Sequence, residues 1–342
     1  MRQASKTGVL LVNLGTPKTS KRRDVYKYLK EFLLDKRVID VNPVLRNFLV
    51  RCIIAPFRSK SSAQTYKEIW LDEGSPLLVY SQRFAHKLQD QLGESYEVAL
   101  SMRYQQPSIH EGLEQLRKAA VEKIIVLPMF PQYASATIGS VQEKVMEIIS
   151  RWEIIPDISF ISKYEAQPDM IKAFAELGQQ YDPSSFDHIL FSYHGLPERQ
   201  IKKGDYYNVC QLSDECCKNR GAENAYCYRA NCFATTEAIA HELDIPEERY
   251  TVCFQSRLGN DPWVKPYTVE VVKDLAEKGY KRLLVFCPAF VSDCLETIYE
   301  IGIEYDEDFR EMGGEKVQLV DSLNDHDLWV MGAKKLIEGK EM

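Results

Sequence analysis

His188-Ile189-Leu190-Phe191-Ser192-Tyr193-His194-Gly195-Leu196-Pro197-Glu198 starts as an apolar run and ends in ionisable and turn-forming residues. Similar runs occur at Val9-Leu10-Leu11-Val12, Lys123-Ile124-Ile125-Val126-Leu127 and Leu283-Leu284-Val285-Phe286. They alternate with helical stretches, the pattern of a parallel sheet covered by helices. His194 therefore stands just past a strand, where open α/β sheets place ligand sites. A second block, Pro288-Ala289-Phe290-Val291-Ser292-Asp293-Cys294-Leu295-Glu296-Thr297, follows another such strand. One block offers a base that works near neutral pH and the other offers carboxylates. That pairing suits chemistry in which protons leave and a divalent cation enters.

Working outward, helices are expected over Ile109 to Val121, Gln142 to Trp152, Met170 to Gln180, Thr235 to Leu243 and Val269 to Lys278. Pro156, Pro183 and Pro246 punctuate the connections. The halves look related. Pro128, Phe130, Thr137 and Ile138 recur 160 positions later as Pro288, Phe290, Thr297 and Ile298, while Gly15 and Pro17 recur 180 positions later as Gly195 and Pro197. These matches indicate an α/β protein of two doubly wound lobes with a cleft between them. An N-terminal lobe is expected over 1–160 and a C-terminal lobe over 161–342, interleaved by the C-terminal helix. His194 aligns with Leu14, Glu296 with Ala136 and Asp293 with Tyr133. The first lobe is apolar where the second is ionisable, so it should supply a greasy wall and the second the reactive groups.

Length and composition bound the reading. A chain of 342 residues, 45% hydrophobic, builds a full globular core. A net charge of −7 argues against a nucleic-acid binder. No apolar run is long enough to span a bilayer, and the polar stretch from Met1 to Thr7 does not resemble a secretory signal. The cytosol is the expected location. Disulfides are rare there, and five of the nine cysteines crowd into Cys210, Cys216, Cys217, Cys227 and Cys232, which points to metal. Four soft thiolates gathered by short loops would hold zinc or an iron–sulfur cluster. Unliganded buried thiols are the alternative.

Asp293, Glu296, Glu300 and Glu304 are spaced at three, four and four, which places them on one helical face. Such a face is either a solvated acidic surface or a path for a cation or protons. Arg103 and Arg257 each follow a strand and would hold a ligand carboxylate or pair with a structural acid. Pro43 to Lys60 has no acid but carries Arg46, Arg51, Arg58 and Lys60 among large apolar residues. It reads as a basic amphipathic segment that rests on an anionic membrane or gates an apolar pocket, or else as a core helix with basic outward residues.

Taken together, the chain resembles the ferrochelatases along nearly its whole length. The motifs are Val12-Asn13-Leu14-Gly15-Thr16-Pro17, Arg103-Tyr104, Phe130-Pro131-Gln132-Tyr133, Ser192-Tyr193-His194-Gly195-Leu196-Pro197, Gln255-Ser256-Arg257 with Pro262-Trp263, and Ser292-Asp293-Cys294-Leu295-Glu296-Thr297. The resemblance implies two flavodoxin-like (Rossmann-type) lobes that hold a porphyrin between them. It implies a lyase-class chelatase that inserts ferrous iron into protoporphyrin IX to form haem, releasing protons. The family's active-site histidine and glutamate fall on His194 and Glu296, which would also meet the iron substrate. Asp293, Glu300 and Glu304 match an acidic path. Leu14, Arg103, Tyr104, Tyr133, Arg257, Trp263 and Phe290 match pocket or near-pocket positions. The basic segment, within 24–60, matches a lip that touches membrane in some members.

Two departures stand out. Cys294 occupies a place where some members carry histidine. The cysteines lie in an internal insert, 204–233, rather than in a C-terminal extension, which favours a 2Fe–2S cluster of an internal type. The competing functions are coproporphyrin III or another tetrapyrrole as substrate, and a non-enzymatic haem or iron sensor.

Overall fold

The computed structural model describes residues 6–257, 259 and 261–339, so the N-terminal stretch read above lies largely outside the described residues. The chain divides into two compact units. Unit 1 takes Met1–Phe130, Ser135–Ser162 and Val330–Met342; unit 2 takes Pro131–Ala134 and Lys163–Trp329.

Unit 1 is built on β1 (Thr7–Gly15), β2 (Tyr96–Tyr104), β3 (Lys123–Pro128) and β4 (Asp157–Phe160), all parallel, in the order β2-β1-β3-β4. β1 is central: Leu10 lies opposite Ala99 on one side and Val126 on the other. Helices cover both faces, so Val9 to Val12 are wholly buried and the strand needs no polar alternation. The helix Ile109–Lys118 starts at Ser108, which forms a reciprocal capping box with Glu111. Its Leu113 and Leu116 pack with Leu10, Val12 and Val126.

Unit 2 repeats the plan with β5 (His188–His194), β6 (Tyr250–Gln255), β7 (Arg282–Phe286) and β8 (Lys316–Leu319), parallel, in the order β6-β5-β7-β8. The expected α/β architecture of two parallel sheets flanked by helices is thus what the chain adopts. The correspondence extends to irregular features. Gln105 and Ser256, each one residue past a strand, both have positive φ. Met102 N–H donates to Pro107, and Phe254 N–H donates to Pro266. Wide π-helical turns begin at Ser135 and at Leu295, 160 positions apart, the offset of the sequence repeat.

Expected helices occur near their places, with one large difference. The helix expected from Thr235 starts seven residues earlier, at Tyr228 (Tyr228–Glu242). Its first turns are buried on nearly every side, so no polar face betrays them in the sequence.

Arg103 and Tyr104, expected near the pocket, take part in a buried network of unit 1. Arg103 Nη2 donates to Asp35 Oδ2 at 2.6 Å and its Nε to Ser140 Oγ at 2.6 Å. Tyr104 Oη donates to the same Asp35 oxygen at 2.9 Å, and its ring is buried. The strand-end arginine meets an acid 68 residues away, the structural pairing weighed for it above. Gly15, next to this network, has φ +116°, and a Cβ there would lie 2.0 Å from the Tyr104 carbonyl oxygen, so only glycine fits. Burial works to raise the Asp35 carboxyl, but hydrogen bonds from Ser140 and the Arg37 N–H, with the Arg103 charge, hold it below the ordinary value.

Arg103→Ala strips the buried Asp35 of its cation, and breaking a buried pair costs about 3–5 kcal/mol. The urea midpoint at neutral pH should fall well below wild type. Because the folded-state value of Asp35 is depressed, its stabilisation is present above the ordinary carboxylate value and fades as pH drops through the folded value. The gap between variant and wild type should therefore narrow in acid. Equal midpoints at neutral pH would remove Arg103 from the scaffold.

Candidate functional site

Three strand ends of unit 2 carry the candidate groups. β5 delivers His194, half-buried. Its Nδ1 lies 2.7 Å from the Gly195 carbonyl oxygen. A carbonyl only accepts, so the contact places the proton on Nδ1 and leaves Nε2 with its lone pair in the neutral ring. The rings of Trp263 and Phe290 flank the imidazole, with centroids 6.4 and 6.5 Å away. The next residue, Gly195, sits so close to β6 that a Cβ would meet the Gln255 carbonyl oxygen at 2.9 Å.

β6 ends in Gln255 and Ser256, which hold the acid beside the base. Ser256 N–H and Oγ donate to Glu300 at 3.0 and 2.6 Å, and Gln255 Nε2 donates to it at 3.2 Å. The same Gln255 amide reaches the Glu296 carbonyl oxygen at 2.9 Å, and its Oε1 accepts from Ser192 at 2.7 Å. Burial pushes the Glu300 carboxyl up, against these donors. It is also drawn down by the His194 charge and pushed up by that of Glu296, so the three groups share one electrostatic neighbourhood.

Glu296, Glu300 and Glu304 rise along the π-helical stretch Leu295–Glu304. With its wider turn, a four-residue step still returns to nearly the same face. Glu304, at the far end, is exposed. Asp293 departs from the expected face. The stretch begins after it, and its carboxylate accepts from Thr297 Oγ1 at 2.9 Å, Asn324 Nδ2 at 2.7 Å and the Ser322 N–H at 3.3 Å. Those partners make it a buried tie between the loop and the stretch that follows.

The remaining expected residues belong to both units. Leu14 is half-buried at the end of β1, in unit 1. In unit 2, Tyr133 stacks edge-on with Tyr226 at 5.3 Å. Arg257 is exposed and lies over the Tyr267 ring at 4.9 Å. Gln255 and Ser256, read in the sequence only as neighbours of Arg257 in the strand-end motif, are the residues that orient Glu300.

In the cysteine-rich insert, Cys210, Cys216 and Cys227 are partly exposed, whereas Cys217 and Cys232 are buried. Cys216 and Cys227 each lie within electrostatic reach of Cys210 and of Cys217. Buried Arg229 donates Nη1–H to Cys217 Sγ at 3.0 Å. Burial nonetheless pushes the Cys217 thiol up to about 12. Among the described residues, no three His, Cys, Asp or Glu side chains are placed to hold a metal ion. The sulfurs share one insert without converging on a point, so the side chains as they stand do not form a cluster cage.

Comparison with known proteins places the fold and the family. SirB from Bacillus subtilis with Fe3+ matches with a TM-score of 0.53 at 14% identity, over 98% of this chain and 95% of that one. The sirohydrochlorin chelatase SirB from Bacillus subtilis subspecies spizizenii in complex with cobalt also gives 0.53, at 10% identity over 98% and 99%. At those identities the likeness defines the fold alone. Residues 6–341 match the family model described as Ferrochelatase. A ferrochelatase of Legionella pneumophila (strain Lens) is 45% identical over 332 residues, covering 97% of this chain and 98% of the relative. One of Coxiella burnetii (strain Dugway 5J108-111) is 41% identical over 338 residues, covering 98% and 94%. The chain belongs to the ferrochelatase family and is a metal chelatase that inserts ferrous iron into protoporphyrin in haem synthesis.

Proposed function

We propose that His194 is the base of the insertion reaction and that Glu296 and Glu300 are its acidic partners. The carrying observation is that His194 at the end of β5 and Glu296 and Glu300 on the stretch Leu295–Glu304 share one electrostatic neighbourhood. A free porphyrin holds two pyrrole N–H protons, and the entering ferrous ion replaces them without changing its oxidation state. His194 Nε2, left unprotonated by the Nδ1 contact, accepts a pyrrole proton. Imidazolium then forms next to the carboxylates, which stabilise it and take the proton onward. Burial raises the affinity of Glu300 for a proton, which suits a relay towards exposed Glu304. Trp263 and Phe290, each near the imidazole, supply apolar area against which a flat macrocycle packs and bends. Asp293, held by Thr297 and Asn324, stands at the start of the acidic stretch and fixes its first turn.

His194→Ala should abolish nearly all anaerobic ferrous insertion while the far-ultraviolet spectrum stays native. Loss of a positioned acid–base group costs roughly 100- to 10,000-fold in turnover. Glu296→Gln should be severely impaired as well. Near-normal turnover in either variant removes that residue from the mechanism.

The cysteine insert supports a second assignment, a 2Fe–2S cluster on four of Cys210, Cys216, Cys217, Cys227 and Cys232. Five soft donors crowd into one short segment, and the Arg229 guanidinium beside Cys217 offsets negative charge on sulfur. Closing on a cluster requires the side chains to turn inward. Bound, the cluster would supply thiolate cross-linking of the insert; no step of the insertion reaction runs through it. Anaerobically purified protein should be reddish-brown with visible absorption, and Cys227→Ser should bleach it. Colourless protein with one tightly held zinc ion contradicts this.

The segment 43–60 supports peripheral membrane contact. Val44, Phe48 and Phe57 are 80%, 58% and 76% exposed, so this is not a core helix with basic outward residues. Arg51, Arg58 and Lys60 are exposed among them, a composition that seats on anionic headgroups. No helix among the described residues is long and apolar enough to cross a membrane. Wild type should co-sediment with anionic vesicles more than with neutral ones, and Phe48→Asp with Phe57→Asp should reduce this. Equal partitioning of wild type and variant sinks the assignment.

A further inference from the structure

The proton on His194 Nδ1 stays there only while the Gly195 carbonyl points at the ring. That carbonyl belongs to a glycine, the residue least able to resist rotation of its own backbone. Something must hold the peptide unit that precedes it. The unit is pinned at both ends. Gly195 N–H donates to the Gln255 carbonyl oxygen at 2.8 Å. On the other side, the His194 carbonyl oxygen accepts from the Tyr228 hydroxyl at 2.7 Å. The first pin is a backbone bond at the end of the sheet. The second comes from a side chain on a different element, the first residue of the helix Tyr228–Glu242. Tyr228 is 7% exposed, so water does not replace its hydroxyl readily.

We propose that Tyr228 is a positioning residue for His194, its hydroxyl fixing the His194–Gly195 peptide and thereby the tautomer of the imidazole. Tyr228 directly follows Cys227, so the last turn of the cysteine insert leads into the group that aims the base. The proposal rests on the reading of His194 as the base.

A matched control lies one residue before the base. Tyr193, also buried, shares its hydroxyl with Thr236 of the same helix at 2.8 Å, away from the His194 carbonyl. Tyr193→Phe and Tyr228→Phe each remove one buried phenolic hydrogen bond between β5 and that helix. The test uses the full chain and three readouts: kcat and porphyrin KM for ferrous insertion, the thermal midpoint, and 15N spectra of the labelled imidazoles. The His194 signal is assigned by its loss in His194→Ala.

Wild type should show His194 with its proton on Nδ1. Tyr228→Phe should lower kcat about tenfold, equivalent to about 1.4 kcal/mol in the barrier, with porphyrin KM unchanged and a mixed tautomer. Tyr193→Phe should lose comparable thermal stability yet keep kcat within about twofold and keep the Nδ1 tautomer. A wild-type ring protonated on Nε2 overturns the proposal without any variant. So does an unchanged tautomer in Tyr228→Phe, or an equal fall of kcat in Tyr193→Phe. If His194→Ala stays active, the base reading fails instead, and the tautomer result still reports whether Tyr228 positions the ring.

Discussion

The hydrogen bond between the His194 ring and the Gly195 carbonyl decides what the rest of unit 2 is able to do. It is local, spanning one residue, yet it needs β5 and β6 in fixed register and a glycine where any larger residue would strike Gln255. With that bond made, the free nitrogen is the one opposite the backbone. Gln255 then links the two sides of the site: its main chain pins the base and its side chain holds the helix that carries the acids. The imidazole and the glutamates are therefore held by one strand end and the helical stretch it supports.

The repeated architecture shows how such a site arises on a neutral scaffold. Both units have the same strand order, the same positive-φ residue after the edge strand and the same wide helical turn after the third strand. What differs is the side chains hung on it. Leu14 stands where His194 does, and Ala136 where Glu296 does. In unit 1 the end of β2, the counterpart of β6, carries a buried ion pair of Arg103 with Asp35, to which Tyr104 adds a hydrogen bond. The fold tolerates either chemistry because strand ends leave side chains free while the sheet settles the backbone.

Much of this was legible in the sequence because its causes are local. Apolar runs such as Val9 to Val12 mark strands buried on both faces, and the offset of 160 exposed the duplication, down to the paired helical turns. His194 and Glu296 were visible as ionisable groups just past such runs. The rest depended on partners far along the chain. Nothing near Arg103 announces Asp35, and nothing near Asp293 announces Asn324, so a structural acid and a path acid look alike. The early helix start at Tyr228 was hidden because a helix buried all round loses its periodic polar face. With that start unseen, the hydroxyl above His194 was invisible too.

The most direct test of the account is chemical rescue of His194→Gly. Its iron insertion should be nearly absent and should return, saturably, when free imidazole is supplied to the space the ring has left. Insertion at the wild-type rate without any added imidazole would contradict the claim that this nitrogen receives the pyrrole protons.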